Sequence, residues 1–147
     1  MFLGNEATVG LLDDLNIHTL DGYDVRQAVR QLVNDRKRIA DWHRQGEVAD
    51  KEFRFLAARL IPGLPRLMAR LATARGDCDA AMWFVSKMES LGIADAPPAP
   101  LLMGRHLLEL GLKPGPQFGE ITRRVYLAQL SGEVTTLVEA LELARTT

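Results

Sequence analysis

Apolar residues recur at helical spacing along nearly the whole chain. Over residues 23–42, Val25, Ala28, Val29, Leu32 and Val33 share one face, while Arg26, Arg30, Arg36, Lys37, Arg38 and, just beyond, Arg44 lie mostly elsewhere. This pattern predicts one amphipathic helix with a basic back. Asp50 is placed to N-cap a second helix carrying Phe53, Leu56, Ala57 and Leu60, which Pro62-Gly63 ends. A shorter helix follows from Pro65, with Leu67, Met68 and Leu71 as its buried face and Gly76 just past its end. Asp77 or Asp79 then caps a helix through Met82, Val85, Met88 and Leu91, stopped by Gly92.

Residues 94–100, ADAPPAP, form the one evident linker, because proline-rich sequence is extended and semi-rigid. They divide a helical body, residues 1–93, from a tail, residues 101–147. In the tail Met103, Leu107 and Leu110 recur at helical spacing, Gly111 supplies a left-handed stop, and Lys113-Pro114-Gly115-Pro116 forbids continuation. Pro116 suits the first position of the next helix, where its missing N–H costs nothing. A last helix begins where Thr136 and Glu139 have capping-box spacing, ahead of Ala140, Leu141 and Ala144. No run shows the two-residue alternation that a sheet needs. The expected fold is all-α and compact, with about seven helices and a helix-turn-helix-like tail after the linker.

The tail turn has a geometry that suits a phosphate. Open N–H groups near Gln117, Phe118 and Gly119, the positive end of the helix dipole, Lys113 beside it and a small Gly115 together describe an anion site. The same residues also serve as a tight turn between packed helices, and the pattern leaves both readings open.

Composition narrows the class. A chain of 147 residues, 47% hydrophobic and 25% charged, matches one folded core and excludes a disordered or fibrous chain. The single Cys78 cannot form an internal disulfide, the first ten residues lack a signal-peptide pattern, and no run approaches the ~20 apolar residues of a membrane span. A soluble, cytoplasmic protein is expected. The net charge of −1 hides an uneven distribution: residues 1–25 hold five acids and no Lys or Arg, whereas residues 26–75 hold twelve bases against five acids. Such a local excess suits a polyanion, although basic helix faces also occur simply solvated. Trp42 and His43 end the basic helix and have rings able to stack on a base, but Trp42 also continues the apolar stripe toward a core.

One resemblance sharpens this. Gly104-Arg105-His106-Leu107-Leu108, Gly111-Leu112-Lys113-Pro114-Gly115-Pro116, Phe118-Gly119, Ala128-Gln129-Leu130 and Gly132-Glu133 resemble, in order and spacing over residues 97–145, the C-terminal region of bacterial tRNA nucleotidyltransferases and the related poly(A) polymerases. From about residue 28 to 92 the similarity is looser and lies in the succession of short helices. Arg36 stands where relatives with a metal-binding HD segment commonly have His, and Thr73 where they commonly have Asp, against inherited metal chemistry. The resemblance implies a non-catalytic RNA-binding region whose helices help hold tRNA while a separate or fused head adds CCA or A. It implies contacts from Arg105, Lys113, Gly115, Arg123 and Arg124 in the tail and from Arg30, Arg36, Lys37 and Arg38 in the body, positioning RNA without reading its sequence. No metal or other cofactor is expected in this chain, given the departures at Arg36 and Thr73 and the spacing of its histidines, and Mg2+ and CTP or ATP are expected only for a full-length parent enzyme. His106 falls in the resembling segment, with RNA contact and helix packing both open to it.

A nucleotidyltransferase head needs a Gly-Ser turn for the triphosphate and closely spaced carboxylates for two magnesium ions. Neither is visible. Asp13-Asp14 are adjacent and would point to opposite faces of a strand, and Asp77 and Asp79 sit at a helix start where capping accounts for them. His18, His43 and His106 lack partners at metal-ligand spacing, Cys78 has no evident base, and there is no Gly-x-Ser-x-Gly, phosphate-binding or dinucleotide loop. Two other readings stay open: a helical protein-interaction or homodimerisation module, and a degenerate HD-type hydrolase.

Overall fold

The computed structural model describes residues 10–11, 14–15, 19–20 and 23–146, so Asp13 and His18 lie outside the described residues. The fold is all-α. A hairpin of two-residue strands, β1 (Thr19–Leu20) and β2 (Tyr23–Asp24), leads into the first long helix. Eight helices follow among the described residues: α1 (Val25–Asp35), α2 (Arg38–Gln45), α3 (Asp50–Arg59), α4 (Leu64–Ala74), α5 (Cys78–Ser90), α6 (Gly104–Glu109), α7 (Pro116–Ser131) and α8 (Leu137–Arg145).

The additional helix arises because the stretch 23–42 is not continuous. Asp24 caps α1 by accepting the Gln27 amide, and the chain then turns at Arg36-Lys37, so that α2 packs on α4 and α5 with Ile39 in the core. Asp35, on the buried stripe at this break, accepts from Arg38 and from Arg59 of α3. The break thus goes with tertiary pairing that helical periodicity does not display.

Three further expectations are corrected. Asp50 is the first residue of α3, with Ala49 in the cap position, and its carboxylate turns to Lys87 at 2.7 Å. The Lys87 hydrogen bond holds the Asp50 pKa below the usual carboxylate range. On α4 the buried face is Leu64, Pro65, Met68, Ala69 and Ala72, while Leu67 and Leu71 are 40% and 44% exposed. On α5 it is Ala80, Ala81, Phe84 and Met88, and Met82 is 72% exposed. Among the described residues the α4–α5 pair makes the most extensive helix contact, and alanines let such backbones approach where larger side chains would hold them apart. Asp77 occupies the cap position of α5 but makes no side-chain cap bond.

Phe53 is fully buried at the centre of the body, edge-on to Trp42 at 5.0 Å and Trp83 at 5.7 Å between ring centroids. The tail has a second cluster, Leu102, Leu107, Ile121, Val125, Ala128, Val134, Ala140 and Ala144. Helix α7 also packs on α3, which joins tail to body.

Residues 91–103 carry no helix or strand, yet are held at both ends. On the body side, Arg66 donates to the Asp95 carboxylate at 2.5 and 3.0 Å and the Gly63 amide donates to the Asp95 carbonyl. On the tail side, Tyr126 Oη donates to the Pro98 carbonyl, Gln129 Nε2 donates to the Ala99 carbonyl, and Gln129 Oε1 accepts from the Leu101 amide, at 2.8–3.0 Å. Burial pushes the Tyr126 phenol pKa up, and the Arg66 hydrogen bond holds Asp95 below its ordinary value. Proline supplies no amide donors here, so the Tyr126 and Gln129 side chains of α7 bind carbonyls of the connection, while Arg66 of α4 binds the Asp95 carboxylate.

Candidate nucleic-acid interface

The tail turn is built from local chemistry. Gly111 adopts φ +82°, and the Leu112 amide reaches back to the Leu107 carbonyl at 3.1 Å, closing α6 in a Schellman arrangement. Pro116 then opens α7. Gly115 is extended at φ −178°, a conformation open to any residue, and a Cβ there would meet the Lys113 carbonyl at an ordinary 4.0 Å. The Phe118 amide bonds the Gly115 carbonyl at 3.0 Å, so one of the three donors expected to be open is engaged within the helix. Lys113 and Gly115 are exposed.

At the start of α6, His106 Nδ1 accepts the Met103 amide at 3.0 Å, making the imidazole a cap for its own helix. A neutral imidazole with Nδ1 as acceptor carries its proton on Nε2, so the nearby Arg105 Nε at 3.3 Å is a contact rather than a donated hydrogen bond. Arg105 is exposed, as is Arg30 on α1.

The expected cations do not gather on one surface. Arg36 and Lys37 line a separate hollow near the end of α4. Arg38 and Arg123 come together, from body and tail, across a cleft of about 670 Å³ between α2, α3 and α7, and Arg59 joins them. Trp42, Phe55 and Tyr126 supply aromatic walls and Glu52 a carboxylate. Arg38 lies over the Trp42 ring at 5.4 Å and its Nε is 2.5 Å from Asp35 Oδ1. Arg59 shares the same carboxylate, while Arg123 is exposed on α7. Arg124 faces a neighbouring groove of about 490 Å³ that also contains Glu120 and Glu133, so the charge there is mixed.

Arg59, Phe55, Tyr126 and Asp35 are absent from the sequence-derived set. Arg59 belongs to the basic run, and Asp35 could be read as an acid on an apolar stripe three residues before Arg38. Nothing in the sequence marks Phe55 or Tyr126 as cleft residues, because only the packing of α3 on α7 brings them together.

The positions where an HD segment would place metal ligands hold none. Arg36 donates to the Val33 carbonyl and the Thr73 hydroxyl to the Ala69 carbonyl, and neither side chain offers a metal donor set. Among the described residues no three His, Cys, Asp or Glu side chains group as a metal site, and no helix is long and apolar enough to cross a membrane. No family model matches the chain, and no curated protein or solved structure matches it closely enough to identify a relative.

Proposed function

We propose that this chain is the non-catalytic, RNA-binding part of a cytoplasmic protein resembling tRNA nucleotidyltransferases and poly(A) polymerases, holding tRNA while a head, separate or fused, adds CCA or A. The observation that carries this reading is the convergence of Arg38 and Arg59 from the body with Arg123 from the tail on one cleft beside Trp42, Phe55 and Tyr126. Guanidinium groups match phosphate oxygens in pairs, and aromatic rings offer π-faces to unstacked bases. The exposed Lys113 turn offers a further phosphate contact. Magnesium and nucleoside triphosphates belong to the head.

Fluorescence anisotropy with a tRNA-like hairpin over a range of salt concentrations tests it. Binding should weaken with salt by a logarithmic slope of about 0.7–0.9 per phosphate contact, and Arg123→Ala should remove roughly one contact without changing the helical circular dichroism. No binding, or binding indifferent to salt, rejects the reading. Incorporation of CTP or ATP by the purified chain, lost on mutating the chain itself, rejects its non-catalytic part.

An apolar groove of about 250 Å³ between α1 and α4, lined by Val29, Leu32, Val33, Met68 and Leu71, favours a second reading as an interaction module. Sedimentation showing self-association that Leu71→Asp abolishes, with no hairpin binding, would select it.

A further inference from the structure

We propose that the body–tail cleft selects guanine, the Glu52 carboxylate accepting from the edge of the base; this deepens, and rests on, the RNA reading of the same cleft. Glu52, Phe55, Leu56 and Arg59 of α3 all line the cleft, and a spacing of three, four and seven residues puts them in one row along the helix. The row carries a carboxylate, an aromatic ring and a guanidinium in that order. From Glu52 to Arg59 it covers about 10 Å at the helical rise. A nucleotide presents its groups in a matching order: base edge, base face, phosphate. Phe55 is 37% exposed, and Leu127 of α7, lining the same cleft, is 45% exposed, so apolar surface for a base is open on both helices.

Glu52 is the part of the cleft that phosphate binding leaves unexplained. It is exposed, and among the described residues its side chain makes no hydrogen bond or ion pair, although Arg38, Arg59 and Arg123 line the same cleft. A carboxylate repels phosphate, so an RNA-binding cleft gains from one only where it meets hydrogen-bond donors. Of the four RNA bases, guanine alone sets two donors side by side, N1–H and the N2 amino group, which the two oxygens of one carboxylate accept together. Adenine and cytosine place a ring-nitrogen acceptor beside their amino group, and uracil flanks its single N–H with two carbonyls, so each turns a lone pair toward one carboxylate oxygen. A guanine stacked on Phe55 therefore has its edge within a helical turn of Glu52 and its phosphate on the side of Arg59. Arg59 shares its charge with Asp35, whereas Arg123 forms no ion pair among the described residues and supplies the uncompensated cation.

The test uses the full chain and Glu52→Gln, an exposed position at which the helical circular dichroism should not change. Fluorescence anisotropy compares hairpins with a single-stranded uridine overhang in which one position is guanine, inosine or adenine. Guanine should bind about tenfold more tightly than adenine, inosine, which lacks the N2 amino group, should fall between them, and Glu52→Gln should bring all three within about twofold. Glu52 also lies in the first turn of α3, where an acid complements the helix dipole. A carboxylate with that role alone gives a different result: Glu52→Gln then shifts every hairpin equally and wild type shows no preference among them. Equal binding of the three hairpins, with the expected fall in salt, overturns guanine selection and leaves RNA binding standing. A guanine preference that Glu52→Gln retains overturns the assignment to Glu52. Calorimetry with GMP and AMP identifies the source of the base: GMP binding that exceeds AMP binding and is lost in Glu52→Gln, with no hairpin bound, overturns RNA binding alone and assigns the cleft to a free guanine nucleotide. Absence of binding to the hairpins and to GMP overturns both.

Discussion

Asp35 Oδ2 lies 2.9 Å from Arg59 Nη2, tying the end of α1 to the end of α3. The same carboxylate holds Arg38 Nε at 2.5 Å. The arrangement is asymmetric: the Asp35 side chain is 1% exposed, while both guanidinium groups reach water. Gln31, also buried, supports the junction by donating to the Arg59 carbonyl and accepting the Ile61 amide.

The asymmetry sets the order of mutational costs. Arg38→Ala/Arg59→Ala leaves a buried carboxylate without its cations and should destabilise by about 3–5 kcal/mol. Asp35→Asn keeps a hydrogen-bonding group of the same shape and leaves two cations able to turn to solvent, so it should cost less, on the order of 1–3 kcal/mol. Urea denaturation orders the two variants, and a costlier Asp35→Asn refutes the account. If the cleft binds RNA, Asp35→Asn also releases positive charge and should steepen the salt dependence of hairpin binding.

Gln129 is the tail's hold on the proline-rich connection, accepting the Leu101 amide and donating to the Ala99 carbonyl. Gln129→Leu removes both bonds and leaves a backbone donor and acceptor to find water. A loss of about 1–2 kcal/mol is expected, with faster hydrogen exchange at the Leu101 amide while the α4 and α5 amides stay protected. Unchanged exchange at Leu101 would show that the connection is held by other means.

Glu139 gives α8 its pH dependence. Its carboxylate accepts the amide and hydroxyl of Thr135 and the amide of Thr136, and the Thr135 amide, followed by the Thr135 hydroxyl, does most to depress its pKa. A carboxyl whose folded pKa is depressed adds stability that is fully present above the unfolded value of about 4.3 and disappears as pH falls through the folded value. Wild type should therefore lose its advantage over Glu139→Gln on acidification. A constant difference in stability between the two from neutral pH to below pH ~3 would rule this out.

The tail's boundaries are legible in the sequence because their chemistry is local: Gly111, Pro116 and the Thr136–Glu139 box each act within one helical turn. The body is less legible because its decisive contacts are distant. The break at Arg36-Lys37 accompanies a pairing between Asp35 and Arg59, and the choice of Ala69 and Ala72 over Leu67 and Leu71 as the buried face of α4 is set by its fit to α5. The cleft divides the same way. Charge alone singles out Arg38 and Arg123, but their meeting with Phe55 and Tyr126 depends on helix packing.

Gly119 separates the cleft from the tail turn as the place where RNA is held. It lies in the first half of α7 at an exposed site, and an added Cβ would have nothing within 4 Å. Glycine inside a helix costs up to about 1 kcal/mol relative to alanine, so Gly119→Ala should stabilise the chain by about 0.5–1 kcal/mol. In a protein of this size, that corresponds to a melting temperature higher by about 1–4 °C. Gly119 does not line the body–tail cleft, so hairpin affinity should stay within about twofold of wild type if the cleft makes the contact. A variant that melts higher but binds the hairpin far more weakly would place a phosphate against the backbone at the start of α7 and move the RNA contact from the cleft to the Lys113 turn. A variant that melts lower would mean that this helix position is constrained by something other than its own propensity.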